Sequence, residues 1–204
     1  MKSLSELRND GYDDLEGRWG NAVVLTLVYH LLYSVLSSII CSLIGISLLS
    51  TVLLFPLLWG FEIAFLDNTR GTNSKPLDMS YLWNGYKDSS RIIGTYLLKK
   101  IYIILWSLLL IVPGIIKSYS YAMVPYILRD DPNISYNDAI ELSMEMMEGY
   151  KWKLFLLDLT FIGWFLLSLL TLGIGFLFLT PYIQSTYANF YEDLKVNIPV
   201  STNP

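Results

Sequence analysis

The sequence predicts an all-α integral membrane protein of six transmembrane helices, arranged as three helical hairpins with short amphipathic helices on the cytoplasmic side. Three observations carry this. Of the 204 residues, 53% are hydrophobic and 16% charged, with a mean hydropathy of +0.45; soluble domains carry about 25% charged residues. Apolar runs of membrane length recur along the chain. Nearly all basic residues fall on one side of those runs.

A span needs about 20 mostly apolar residues, and the runs 20–44, 46–66, 92–112 and 153–172 meet that need. Two further runs, 114–129 and 174–191, are rich in Tyr and interrupted by Pro. Gly45-Ile46-Ser47, Val112-Pro113-Gly114 and Gly173-Ile174-Gly175 join neighbouring runs so tightly that each pair reads as a hairpin. The units cover about 15–68, 76–131 and 135–193 of a single membrane domain, with 1–14 and 196–204 as flexible polar tails. The tail before the first run holds Glu6, Asp10, Asp13, Asp14 and Glu16 and lacks the basic start and cleavage site of a secretory signal, so that run is expected to stay as a membrane helix.

The net charge is −4, but in a membrane protein placement matters more than the sum. Lys2, Arg8 and Arg18 precede the first run. Arg70, Lys75, Lys87, Arg91, Lys99 and Lys100 accompany the 67–91 connection, Arg129, Lys151 and Lys153 the 130–150 connection, and Lys195 follows the last run. Thirteen of the 14 basic residues thus share one face, and Lys117 stands beside a turn on the other. The positive-inside rule then places both termini and both long connections in the cytoplasm.

A repeat underlies the hairpins. LEGRWGN at 15–21, WNGYKDS at 83–89 and MEGYKWK at 147–153 place glycines 17, 85 and 149 before an aromatic and a basic residue, at spacings of 68 and 64. The turn glycines 45, 114 and 173 are spaced 69 and 59, which makes a unit of about 60–70 residues used three times. In NISYNDAIELSMEMMEG, Ser135 is a candidate N-cap with Asp138 three residues on. Ala139, Ile140, Ser143, Met144 and Met147 then share one face of a helix over 136–149, suited to packing on the bundle or to docking a partner's helix.

The second helix of each hairpin carries a proline, Pro56, Pro125 or Pro181, and a kink is expected at each. These helices also hold the polar side chains: Glu62; Lys117, Ser118 and Tyr121; and a stripe of Gln184, Tyr187 and Tyr191. Three kinked helices are therefore expected to line a polar centre, with the other three outside.

Lys117 is three residues past Gly114. One reading has its ammonium snorkel to the outer headgroups. The other places it in the first turn of a helix whose free N–H groups favour anions, so that Lys117, Ser118, Tyr121, Gln184 and Tyr187 form a candidate ligand site. Glu62 and Asp158 are the intramembrane acids. They are expected to pair with Lys99, Lys100 or Lys153, or to form a proton- or cation-binding pair. His30 reads as a packing histidine, and the single Cys41 excludes an internal disulfide. No metal and no cofactor are expected. HExxH, GxSxG and P-loop signatures are missing, so catalysis is not expected, and the basic residues form a topology bias rather than a nucleic-acid patch.

LLIVPGIIKSYSYAMVPYILRDDP, DAIELSMEMMEGYKWKLFLLDLTFIGW and LTLGIGFLFLTPYIQSTYANFYEDL resemble the bacterial multi-pass integral membrane proteins of domain-of-unknown-function family 975. The resemblance covers most of the chain. It implies a multi-pass protein of the bacterial cytoplasmic membrane and carries over no catalytic residue or ligand. The reading that follows is a small binding or transport-type module whose polar cleft takes an anionic lipid headgroup or small amphiphile. The alternative is a non-catalytic scaffold or regulatory subunit that docks a partner protein through helix 136–149.

Overall fold

The computed structural model describes residues 1–44, 47–71 and 77–197, and every regular element among them is helical. The expected turn at Gly45, the basic Lys75 and the tail beyond Asn197 lie outside the described residues. In chain order the helices are α1 (Leu4–Asp13), α2 (Trp19–Ile44), α3 (Ser47–Leu53), α4 (Phe55–Thr69), α5 (Tyr81–Asn84, continued by a 3₁₀ turn Gly85–Asp88) and α6 (Ser89–Leu109). They continue as α7 (Ile111–Ser120), α8 (Val124–Asp130), α9 (Tyr136–Met146), α10 (Lys151–Thr160), α11 (Ile162–Leu170) and α12 (Phe176–Asn197).

Among the described residues, two stretches are long and apolar enough to cross a membrane, Trp19–Ser42 and Lys151–Leu170, with mean hydropathies of 2.0 and 1.8. The helical runs that hold Pro56 and Pro125 are broken. Proline offers no N–H and is tolerated in the first turn of a helix. The chain accordingly interrupts at Leu54 and restarts as α4 with Pro56, then interrupts over 121–123 and restarts as α8 with Pro125. Pro181 instead lies inside the continuous α12.

Burial divides the helices into two sets. Leu57, Phe61 and Phe65 of α4, Tyr126 and Ile127 of α8, and Ala188, Phe190 and Leu194 of α12 are buried. Leu31, Val35 and Ile39 of α2, Ile104 and Leu108 of α6, and Leu167 and Leu170 of α11 face outward. The middle is not the expected polar cleft. Trp59 donates to the Pro125 carbonyl at 2.9 Å, and Tyr126 stacks on Tyr191 at 5.1 Å, so aromatic packing fills the space where α4, α8 and α12 meet.

The short helices close the assembly: α5 packs on α4, α9 on α8, and α1 on α12. Two of these contacts require glycine. A Cβ on Gly60 would lie 2.3 Å from the Tyr81 carbonyl oxygen, and one on Gly11 would lie 2.4 Å from Thr186 Oγ1. Residues 1–14 are therefore not a loose tail. Ser3 and Glu6 cap α1 reciprocally, and Leu7 and Gly11 bury one face of it.

The Pro113-Gly114 turn also moves. The chain reverses at extended Leu110, and Pro113 sits in the first turn of α7. Gly114 serves close approach instead: a Cβ there would lie 2.1 Å from Ser107 Oγ. Gly175 repeats the arrangement, 2.6 Å from Ser168 Oγ. Lys99 and Lys100 sit well inside α6, about 15 Å past Ser89 at 1.5 Å per residue. Those two thus leave the basic residues expected at the cytoplasmic edge.

Candidate functional site

Lys117 is the seventh residue of α7 and lies in its last turn, not its first. The anion-attracting N–H groups of the helix start are therefore remote from it, and the carbonyl end beside it favours the cation itself. Its ammonium lies 5.0 Å from the Trp106 ring and 5.9 Å from the Tyr121 ring, and 3.4 Å from Met144 Sδ. Trp106, Tyr121, Met144, Asn137, Glu141, Tyr102 and Lys117 wall a cleft of about 220 Å³ between α6, α7 and α9. Asn137 hydrogen-bonds Glu141 and receives the Tyr102 hydroxyl at 3.2 Å. Among the described residues no carboxylate comes within 4 Å of the Lys117 ammonium.

The other candidate ligand residues do not join this cleft. Ser118 donates its hydroxyl to the Ile115 carbonyl at 2.7 Å, within its own helix. Tyr187 donates to Asp158 at 2.5 Å, and Tyr119 donates to the same carboxylate at 2.8 Å. Gln184 is half-buried on α12 and is not among the residues of the Lys117 cleft. The five residues expected together thus divide, with Lys117 and Tyr121 in one place and Tyr187 with Asp158 in another.

The two acids also part. Asp158 is held by two tyrosines. Glu62 receives the Tyr96 hydroxyl in a separate cleft between α2, α4 and α6. Lys99 and Lys100 line that cleft, as the pairing reading expects, yet neither closes to an ion pair. Their ammoniums lie over rings instead, Lys99 5.6 Å from Tyr96 and Lys100 5.3 Å from Phe55. Tyr96 was missed by sequence reasoning, although it stands three residues before Lys99 and so on the same helix face.

The Met-bearing face of α9 is turned into this chain. Ala139, Ile140, Ser143, Met146 and Met147 are buried, and α6, α7 and α8 cover them. Ser135 caps α9 by accepting from the Asp138 N–H at 3.3 Å. Ser143 is the polar point on the buried face: it donates to the Ser120 carbonyl at 2.8 Å and accepts from the Met123 N–H at 3.2 Å. It thereby satisfies groups left free where α7 breaks.

Near the C-terminal ends of α4, α8 and α12 a polar cluster joins the three helices. Arg129 donates to Asp67 at 2.8 Å, and Lys195 and Tyr191 donate to Asp130 at 2.7 and 2.8 Å. Burial works against the Arg70 charge, but its bonds to Asp130 and Glu192 outweigh this and hold its pKa above the ordinary value.

No curated protein and no solved structure matches the chain. The helix-only architecture, with Lys117, Tyr121, Tyr187 and Pro125 placed as above, lies within stretches that a family does match: the chain belongs to the family described as protein of unknown function (DUF975), whose sequence model covers residues 1–117 and 80–197.

Proposed function

We propose that this protein is a six-span membrane protein that binds an anionic lipid headgroup or small amphiphile at the Lys117 cleft. The observation that carries the reading is an ammonium half-buried between two aromatic rings and a thioether, with no carboxylate within 4 Å among the described residues. Cation–π contact stabilises the charge by about 0.5–2 kcal/mol. It leaves the charge unneutralised, so an entering phosphate or carboxylate gains a full charge-assisted bond.

Six spans are supported by the outward apolar faces of α2, α6 and α11, which water would not favour and hydrocarbon would. A threefold repeat is supported by the ring in which α5, α9 and α1 each pack on the second helix of another pair. A serine seven residues before a glycine recurs at 38/45, 107/114 and 168/175, and the two family matches overlap at 80–117. The sequence distribution of the basic residues other than Lys99, Lys100 and Lys117 supports termini and long connections that face the cytoplasm of a bacterial cell.

Docking of a protein partner through 136–149 gains no such support, because the face it needs is covered by α6, α7 and α8. The test is native mass spectrometry of the protein in mild detergent, wild type beside Lys117→Ala. A lipid or metabolite adduct present on the wild type and lost from the variant supports the reading. The same adducts on both make Lys117 a packing residue.

A further inference from the structure

We propose that the cleft between α2, α4 and α6 binds a small zwitterion, its ammonium group on Glu62 and its phosphate or carboxylate on Lys99, with Lys100 beside it. The cleft is a second site, independent of the Lys117 reading. It measures about 260 Å³, and Tyr29, Tyr33, Thr51, Tyr96, Glu62 and the two lysines supply its polar lining. That is room for a headgroup or an amino acid.

The argument is one of unsatisfied charge. Glu62 receives one hydroxyl, from Tyr96, and the two lysines rest on aromatic rings. Among the described residues neither lysine reaches a carboxylate within 4 Å, although Glu62 lines the same cavity. Opposite charges held apart across a cleft at membrane depth are costly for the empty protein, since neither neutralises the other. A purely anionic ligand would face Glu62, and a purely cationic one would face two lysines. A molecule with both charges satisfies both walls at once. Two other clefts between neighbouring helices show the contrast. One of about 270 Å³ walled by Trp19, Trp164 and Phe178, and one of about 500 Å³ walled by Ile115, Ile116 and Phe155, are both mainly apolar.

The shared chemistry is a primary ammonium a few bonds from an anion, and it can come from a phosphoethanolamine lipid in the bilayer or from a free zwitterion. Lys117→Ala, which silences the other cleft, is the background: it and its double variants with Glu62→Gln and Lys99→Gln are titrated in detergent with phosphatidylethanolamine, phosphatidylglycerol and free O-phosphoethanolamine, and occupancy is read by native mass spectrometry. The expected result is binding of the ethanolamine probes over phosphatidylglycerol, weakened at least tenfold by adding Glu62→Gln or Lys99→Gln. Binding of the lipid without the free headgroup makes the bilayer the source, and binding of both makes the headgroup sufficient. Equal binding of the two lipids, no binding by Lys117→Ala, or full binding when Glu62→Gln is added overturns the proposal. Melting curves identify a variant that has lost its fold, and Lys99→Gln then decides if Glu62→Gln has.

Discussion

The guanidinium of Arg70 grips both carboxylate oxygens of Asp130, at 2.6 and 3.0 Å, and also reaches Glu192 at 2.6 Å. Arg70 follows α4, Asp130 ends α8 and Glu192 lies near the end of α12, so one side chain ties together the three helices that form the middle of the molecule.

Removing that side chain strands Glu192 and leaves Asp130 with Lys195 and Tyr191 alone. Arg70→Ala should cost about 2 kcal/mol, the scale of leaving a partly buried charged group without its partner. Arg70→Lys should recover only part of the loss, because an ammonium lacks the two-pronged geometry. Equilibrium unfolding in mild detergent measures both, and an unchanged Arg70→Ala would show that the cluster holds nothing together.

The same cluster predicts a pH dependence. Burial pushes the Asp130 carboxyl up, but hydrogen bonds from Arg70, Lys195 and Tyr191 outweigh it and hold the group down at about 2. A free Asp titrates near about 3.9. A carboxyl depressed in the fold stabilises it fully above the unfolded value and stops doing so as pH falls through the folded one. Stability attributable to Asp130 should therefore disappear between about pH 4 and about pH 2. The difference between wild type and Asp130→Asn, followed by thermal melting across that window, should shrink as pH falls.

Gly114 and Ser107 make a third prediction. A Cβ at Gly114 would sit 2.9 Å from both the Cα and Cβ of Ser107, so Gly114→Val should push α7 off α6 and cost about 1–3 kcal/mol. Gly163 is an exposed helical glycine with nothing within 4 Å of its would-be Cβ. Gly163→Ala should be neutral or raise stability by up to about 1 kcal/mol through helix propensity. Melting temperatures of the two variants should move in opposite directions or differ clearly.

Ser143 joins α9 to the break in α7. Ser143→Ala leaves the buried Met123 N–H without its acceptor and should cost about 1–3 kcal/mol. Hydrogen exchange at the Met123 amide is the sharper readout: it should speed up in the variant while amides of α2 stay unchanged.

Helix content, the apolar runs, the Ser135 cap and the sorting of buried from outward helices were legible in the sequence. Each depends on local composition and periodicity, and the runs that carry Pro56, Pro125 and Pro181 also carried most of the polar side chains. Helix α1 was half-legible. Its acids read as a solvated tail, whereas Ser3, Glu6, Leu7 and Gly11 carried the cap and the buried face.

The sequence alone determined that this chain is helical and apolar, and that its charges lie mostly at the helix ends. Tertiary structure decided which polar groups meet. Helical spacing placed Gln184, Tyr187 and Tyr191 on one stripe, yet Tyr187 went to Asp158 and Tyr191 to Asp130, because a hydroxyl or carboxylate in an apolar surround takes the nearest partner that another helix brings. The reversal also falls at Leu110, four residues before Gly114, which carried Lys117 from the first turn of a helix to the last. That shift exchanged the N–H groups of a helix start for the rings of Trp106 and Tyr121, and only the packing of α6, α7 and α9 could show it.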